Sequence, residues 1–75
     1  MTINVEIGSW AARYTKVGTF ALKMQEAATV GDVIAALNLP PDLAGICSVA
    51  NEIVAKEYVL REGNLIKIFP NIVGG

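Results

Sequence analysis

Thr29-Val30-Gly31-Asp32-Val33-Ile34-Ala35-Ala36-Leu37 is the stretch of this chain with a helical period. Val30, Val33, Ile34 and Leu37 fall at i, i+3, i+4 and i+7, which predicts an amphipathic helix of about two to three turns with one apolar stripe. Thr29 is suited to cap its start, and Asp32 at N3 sets a carboxylate against the positive end of the helix dipole. Asn38 and the pair Pro40-Pro41 stop it, because proline lacks the amide donor and the residue before a proline disfavours the helical conformation. A lone helix can bury its stripe only across the face of a sheet, so the flanking segments must supply strands.

They do. Thr2-Ile3-Asn4-Val5-Glu6-Ile7 alternates polar and apolar, with Ile3, Val5 and Ile7 pointing inward. Thr19-Phe20-Ala21-Leu22-Lys23-Met24-Gln25 repeats the pattern with Phe20, Leu22 and Met24 on one face, so the two runs predict an antiparallel pair. The connection from Gly8 to Gly18 is long for a hairpin. Ser9, capping Trp10-Ala11-Ala12-Arg13-Tyr14, predicts one short helical turn, with extension of the two strands as the other reading. After the helix, Ile46-Cys47-Ser48-Val49-Ala50 and Ile53-Val54-Ala55 flank an Asn51-Glu52 turn. Arg61-Glu62-Gly63-Asn64 supplies a further turn before the last strand, Leu65-Ile66-Lys67-Ile68-Phe69, which sends Ile66 and Ile68 to the core and ends at Pro70. The order predicts an α+β chain of β-grasp type, a mixed sheet of four to five strands packed on one main helix.

The chain has 75 residues, 53% hydrophobic and 17% charged, which is the composition of a single compact domain rather than a disordered segment. No apolar run approaches the ~18–20 residues that span a bilayer, and the opening residues form no secretory signal, so a cytoplasmic protein without a membrane partner is expected. A net charge of -1 with no run of like charge lacks the footprint of a nucleic-acid binder. There is no histidine, the commonest metal ligand and general base, and Cys47 stands alone, which forbids an internal disulfide. No phosphate loop, dinucleotide fingerprint or metal-ligand spacing occurs. Self-sufficient catalysis is not expected.

The chain is expected to divide into a globular core, residues 1–70, and a C-terminal tail, residues 71–75. Asn71-Ile72-Val73-Gly74-Gly75 carries no further periodicity and is expected to be mobile. Five extended residues reach about 17 Å, enough to thread a carboxylate into a pocket on another protein. Gly74 and Gly75, lacking Cβ atoms, let the walls of a narrow tunnel close on the main chain. A final Gly-Gly alone is a weak signal; at the very end, five residues beyond the final strand of such a domain, it points to Gly75 as the reactive group.

At this point the sequence resembles the ubiquitin-like sulfur carriers, the family that includes the small subunit of molybdopterin synthase and the thiamine-pathway carrier. The resemblance spans the chain. Its most specific stretch is Leu60-Arg61-Glu62-Gly63-Asn64-Leu65-Ile66-Lys67-Ile68-Phe69-Pro70-Asn71-Ile72-Val73-Gly74-Gly75, similar to the molybdopterin-type ending L-x-[ED]-G-D-x-[VI]-x-[FI]-x-P-P-V-x-G-G. Thr29-Val30-Gly31-Asp32-Val33 resembles the family's helix start, and Asn51-Glu52-Ile53-Val54 its turn. Asn71 replaces a second proline, Asn64 an aspartate, and Ile72-Val73 is bulkier than the usual pair. The resemblance implies that an E1-like, ATP-dependent activating enzyme adenylates Gly75, with Gly74 beside it, and that a sulfur donor converts the adenylate to a thiocarboxylate. An acceptor enzyme, of molybdopterin synthase large-subunit or thiazole synthase type, then takes the sulfur. It implies no cofactor bound by this chain, since ATP and the sulfur donor serve the partner system. The tail favours molybdopterin over thiamine. A ubiquitin-like modifier or plain binding module is the rival of another class.

Leu65 and Phe69 lie on the strand face opposite Ile66 and Ile68. Near the tail, with Pro70, Ile72 and Val73, they are the candidate partner-binding residues, although single exposed apolar side chains are ordinary. Cys47 in an apolar run reads as a buried thiol rather than a persulfide carrier. Trp10 and Tyr14 either pack on the sheet edge or meet a partner. Arg13, Lys56, Arg61 and Lys67 read as solvated charge, Asp32 as a cap and Glu62 as a turn residue.

Overall fold

The computed structural model describes residues 1–72. Five strands, β1 (Thr2–Ile7), β2 (Gly18–Lys23), β3 (Ala44–Val49), β4 (Glu52–Val54) and β5 (Leu65–Pro70), form one sheet in the order β2-β1-β5-β3-β4, and the helix α1 (Val30–Ala36) lies between β2 and β3 in sequence. β1 is antiparallel to β2 and parallel to β5, while β3 runs antiparallel to both β4 and β5. This is the expected β-grasp arrangement. No helix among the described residues is long and apolar enough to cross a membrane.

The helix forms where its signals predict. Thr29 Oγ1 accepts from the Asp32 amide at 3.2 Å while Asp32 Oδ2 accepts from the Thr29 amide at 2.8 Å, a reciprocal capping box. At the other end Asn38 sits at φ +59° with its amide on the Ala35 carbonyl, and the Leu39 amide reaches the Ile34 carbonyl, the pair of bonds that closes a Schellman motif. The Asn38 backbone therefore ends the helix before the prolines are reached. Val30, Val33, Ile34 and Leu37 are buried, facing Ile3, Val5, Ile7, Ile66 and Ile68 of the central strands. Each such side chain contributes about 1.5–3 kcal/mol by leaving water.

Two turns differ from the sequence reading. The short helical turn after β1 spans Ser9–Ala11, but its N-cap is Gly8 and no side chain caps it, so Ser9 lies inside the turn. The β3-β4 turn is Ala50-Asn51 rather than Asn51-Glu52, since Glu52 already pairs with Val49. Both turn residues have positive φ, +53° and +65°, as a two-residue loop matching the right-handed twist of its strands requires.

Candidate functional site

The candidate surface is built on β5. Period-two alternation sends Ile66 and Ile68 into the core and turns Leu65, Lys67 and Phe69 outward, on the face away from α1. Phe69 is 47% exposed, and Leu65 and Pro70 are half-buried. At this end of β1 and β5, Glu6, Ile7, Gly8, Trp10, Phe69 and Pro70 line a shallow, mainly apolar groove. Trp10 is half-buried against the core and lines the groove as well, so packing and surface placement coincide in one side chain. Tyr14 is exposed in the connection beyond it.

Two apolar residues of this face escaped the sequence reading. Ala44 pairs with Pro70 and Cys47 with Ile68, so Gly45 and Ile46 together oppose Phe69 in a bulge. With Cys47 turned inward, Ile46 faces out, 51% exposed. Ile53, opposite Ser48 on β4, faces the same way and is 73% exposed. Phe69, Ile46 and Ile53 thus form an apolar run across three neighbouring strands, bordered by Ser48, Lys67 and Glu6. The signal was available: once Cys47 and Val49 are assigned inward, Ile46 must face out. A continuous apolar run conceals that alternation.

β5 does not release the chain at Pro70. The Asn71 amide donates to the Leu43 carbonyl at 2.8 Å, and Asn71 Nδ2 donates to the Asp42 carbonyl at 3.0 Å. Gly45 makes this approach possible: a Cβ there would stand 2.8 Å from both Asn71 Cα and the Pro70 carbonyl oxygen. Ile72 is 84% exposed. Val73, Gly74 and Gly75, including the residue assigned as reactive, lie outside the described residues.

Cys47 is 4% exposed, and burial pushes its thiol pKa up, with Lys56 opposing weakly. A thiol held protonated is a poor nucleophile. Lys56 Nζ lies 3.4 Å from the Pro41 carbonyl, Glu62 Oε1 accepts from the Thr2 amide at 3.0 Å, and Asp32 is engaged in the helix cap. Arg13 and Arg61 are exposed, and Lys67 is half-buried on the outer face. Among the described residues no three His, Cys, Asp or Glu side chains converge on a point that holds a metal ion.

The family described as Mut7-C ubiquitin matches residues 2–73. Among solved structures, SAMP1 from Haloferax volcanii is 19% identical, with all of both chains covered and a TM-score of 0.73. A putative molybdopterin converting factor, subunit 1, from Pyrococcus furiosus is 16% identical over 96% of this chain and 99% of its own, with a TM-score of 0.77. A second structure, H. volcanii small archaeal modifier protein 1, is 17% identical over 95% and 98%, with a TM-score of 0.73. No curated protein matches by sequence. At these identities the structures share the fold, which bears out the ubiquitin-like assignment.

Proposed function

The chain belongs to the Mut7-C ubiquitin family, and from that membership we propose that it is a cytoplasmic sulfur carrier, itself non-catalytic, whose reactive group is the Gly75 carboxylate. The supporting observation is the meeting of two features at one end of β5: the chain leaves the sheet toward Gly74-Gly75 beside the apolar run of Phe69, Ile46 and Ile53. Such a run suits a docking surface, with hot-spot aromatics flanked by smaller apolar groups.

The chemistry proceeds in three steps on partner enzymes. A carboxylate oxygen of Gly75 attacks the α-phosphorus of ATP, pyrophosphate leaves and an acyl-adenylate forms. A hydrosulfide-level sulfur from the donor attacks the acyl carbon and AMP leaves, giving a thiocarboxylate. That sulfur attacks an electrophilic carbon of the acceptor's substrate, and water at the acyl carbon restores the carboxylate. ATP, the sulfur donor and the acid-base groups belong to the partners, an E1-like activating enzyme and an acceptor enzyme, so this chain needs no cofactor. Leu65, Phe69, Pro70, Ile72 and Val73 contact those partners. The molybdopterin pathway is favoured by the Gly63 to Gly75 pattern, and a thiamine-type pathway uses the same steps.

A second reading, a ubiquitin-like modifier whose Gly75 forms an isopeptide with lysine, draws support from the full-length likeness to SAMP1 and small archaeal modifier protein 1. Intact mass separates the readings. With ATP, an activating enzyme and sulfide, the carrier gains about 16 Da as sulfur replaces oxygen, and deletion of Gly75 abolishes the gain. Conjugates to lysine without that gain establish the modifier, and neither product overturns both readings.

A further inference from the structure

We propose that Asn71 is a positioning residue: held by the 42–45 segment, it sets the point from which the C-terminal tail leaves the sheet and thus the length of chain that carries the Gly75 carboxylate to a partner. The inference rests on the carrier reading above. Its basis is that strand pairing ends at Ala44 and Pro70, yet the chain stays attached for one residue more through two hydrogen bonds from Asn71, to the carbonyls of Leu43 and Asp42. Gly45 leaves only enough room for backbone beside Pro70 and Asn71, so the contact is close as well as bonded.

The anchor shortens the tether. Measured from Pro70, five extended residues reach about 17 Å; measured from Asn71, four reach about 14 Å. One residue is a large fraction of so short a reach. Pinning it also restricts the directions in which the tail departs, which raises the share of docked complexes whose terminus meets the activated phosphate. Asn71 is exposed and lies outside the buried core, so its bonds guide the exit rather than hold the fold.

Two variants test this in a pyrophosphate-release assay with the ATP-dependent activating enzyme, read over a range of carrier concentrations. Asn71→Asp replaces the side-chain donor with a carboxylate facing the Asp42 carbonyl. A single glycine inserted between Asn71 and Ile72 keeps both bonds and lengthens the tether by about 3.5 Å. Both are expected to lower kcat, Asn71→Asp roughly fivefold, the worth of one hydrogen bond, and the insertion through the longer tether alone; Tm is unchanged in both because the core is untouched, and KM is unchanged in Asn71→Asp because the partner-contact residues keep their places. Equal kcat in wild type and both variants overturns the anchor while leaving the carrier reading intact. A raised KM at unchanged kcat in Asn71→Asp also overturns it, since Asn71 then serves docking. A wild-type chain that releases no pyrophosphate and gains no sulfur overturns the carrier reading and the positioning role with it.

Discussion

The two faces of the sheet use the same strands and obey opposite rules. On the inner face, Ile3, Val5, Ile7, Ile66, Ile68, Cys47 and Val49 are all buried beneath α1. On the outer face the composition changes from one side to the other. Asn4 and Glu6 of β1 stand beside Ala21 and Thr19 of β2, whereas β5, β3 and β4 present Phe69, Ile46 and Ile53. Folding explains the first face completely. It does not explain the second, because leaving Ile53 and Phe69 in water forgoes roughly 1.5–3 kcal/mol per side chain. An apolar cluster on one half of an otherwise polar face suits the docking role proposed for it.

The largest effect that tests this contrast belongs on the inner face. Ile66 pairs with Val5 on one side and Val49 on the other and is fully buried, so Ile66→Ala should lower stability by about 3–4 kcal/mol in urea unfolding. A loss under 1 kcal/mol would remove Ile66 from the core. Next comes its outward-facing counterpart. Phe69→Asp should weaken binding to the activating or acceptor enzyme by about 2 kcal/mol, roughly thirtyfold, while costing under 1 kcal/mol of stability. Unfolding with intact residual binding would show the faces to be reversed, and no effect on either would leave Phe69 a bystander.

The turn that sets Ile53 beside Ile46 gives a smaller effect of opposite sign. Ala50 holds φ +53°, a conformation that costs an L-residue with a Cβ about 1 kcal/mol, so Ala50→Asn should raise stability by about 0.5–1 kcal/mol without altering partner affinity. A fall in Tm would exclude strain at that position. The smallest effect at neutral pH comes from Cys47. Its folded pKa is raised, so the neutral thiol favours the fold below the unfolded value, and that contribution fades as pH rises above about 8.5. Cys47→Ala should therefore flatten the alkaline decline of stability, with sulfur transfer preserved. Loss of transfer with an unchanged melting curve would make Cys47 a sulfur carrier in its own right.

Where one physical signal acts alone, the sequence predicts the structure closely. Thr29, Asp32 and the stripe from Val30 to Leu37 mark the helix because capping and 3.6-residue periodicity are local properties, and Ile3, Val5 and Ile7 mark β1 by alternation. The outer-face isoleucines are harder to read, because a continuous apolar run hides its alternation and their faces follow only once Cys47 and Val49 are assigned inward. The hold on Asn71 was hidden for a related reason. Its partners, Asp42 and Leu43, lie 29 and 28 residues earlier, and an Asn after a proline looks the same whether or not a carbonyl waits for it. The turn at Ala50-Asn51 was misplaced by one because alanine is a poor prior for positive φ.

The central position of β5 has a consequence for how the molecule is made. Residues 65–70 leave the ribosome after every other strand, yet they occupy the middle of the sheet, bonded to β1 on one side and β3 on the other. Until they arrive, the early half of the chain has only the β1-β2 hairpin and a helix without a floor, and the later half only the short β3-β4 pair. The joining contacts, from Asn4 to Leu65 through Ile7 to Ile68, span some 61 residues, so a long loop has to close, at an entropic cost, before they form. A chain truncated before β5 is therefore expected to lose the fold, which limited proteolysis would check. The strand that joins the two halves of the sheet is thus the last of the five to be made, and the pairing on both of its sides waits for it.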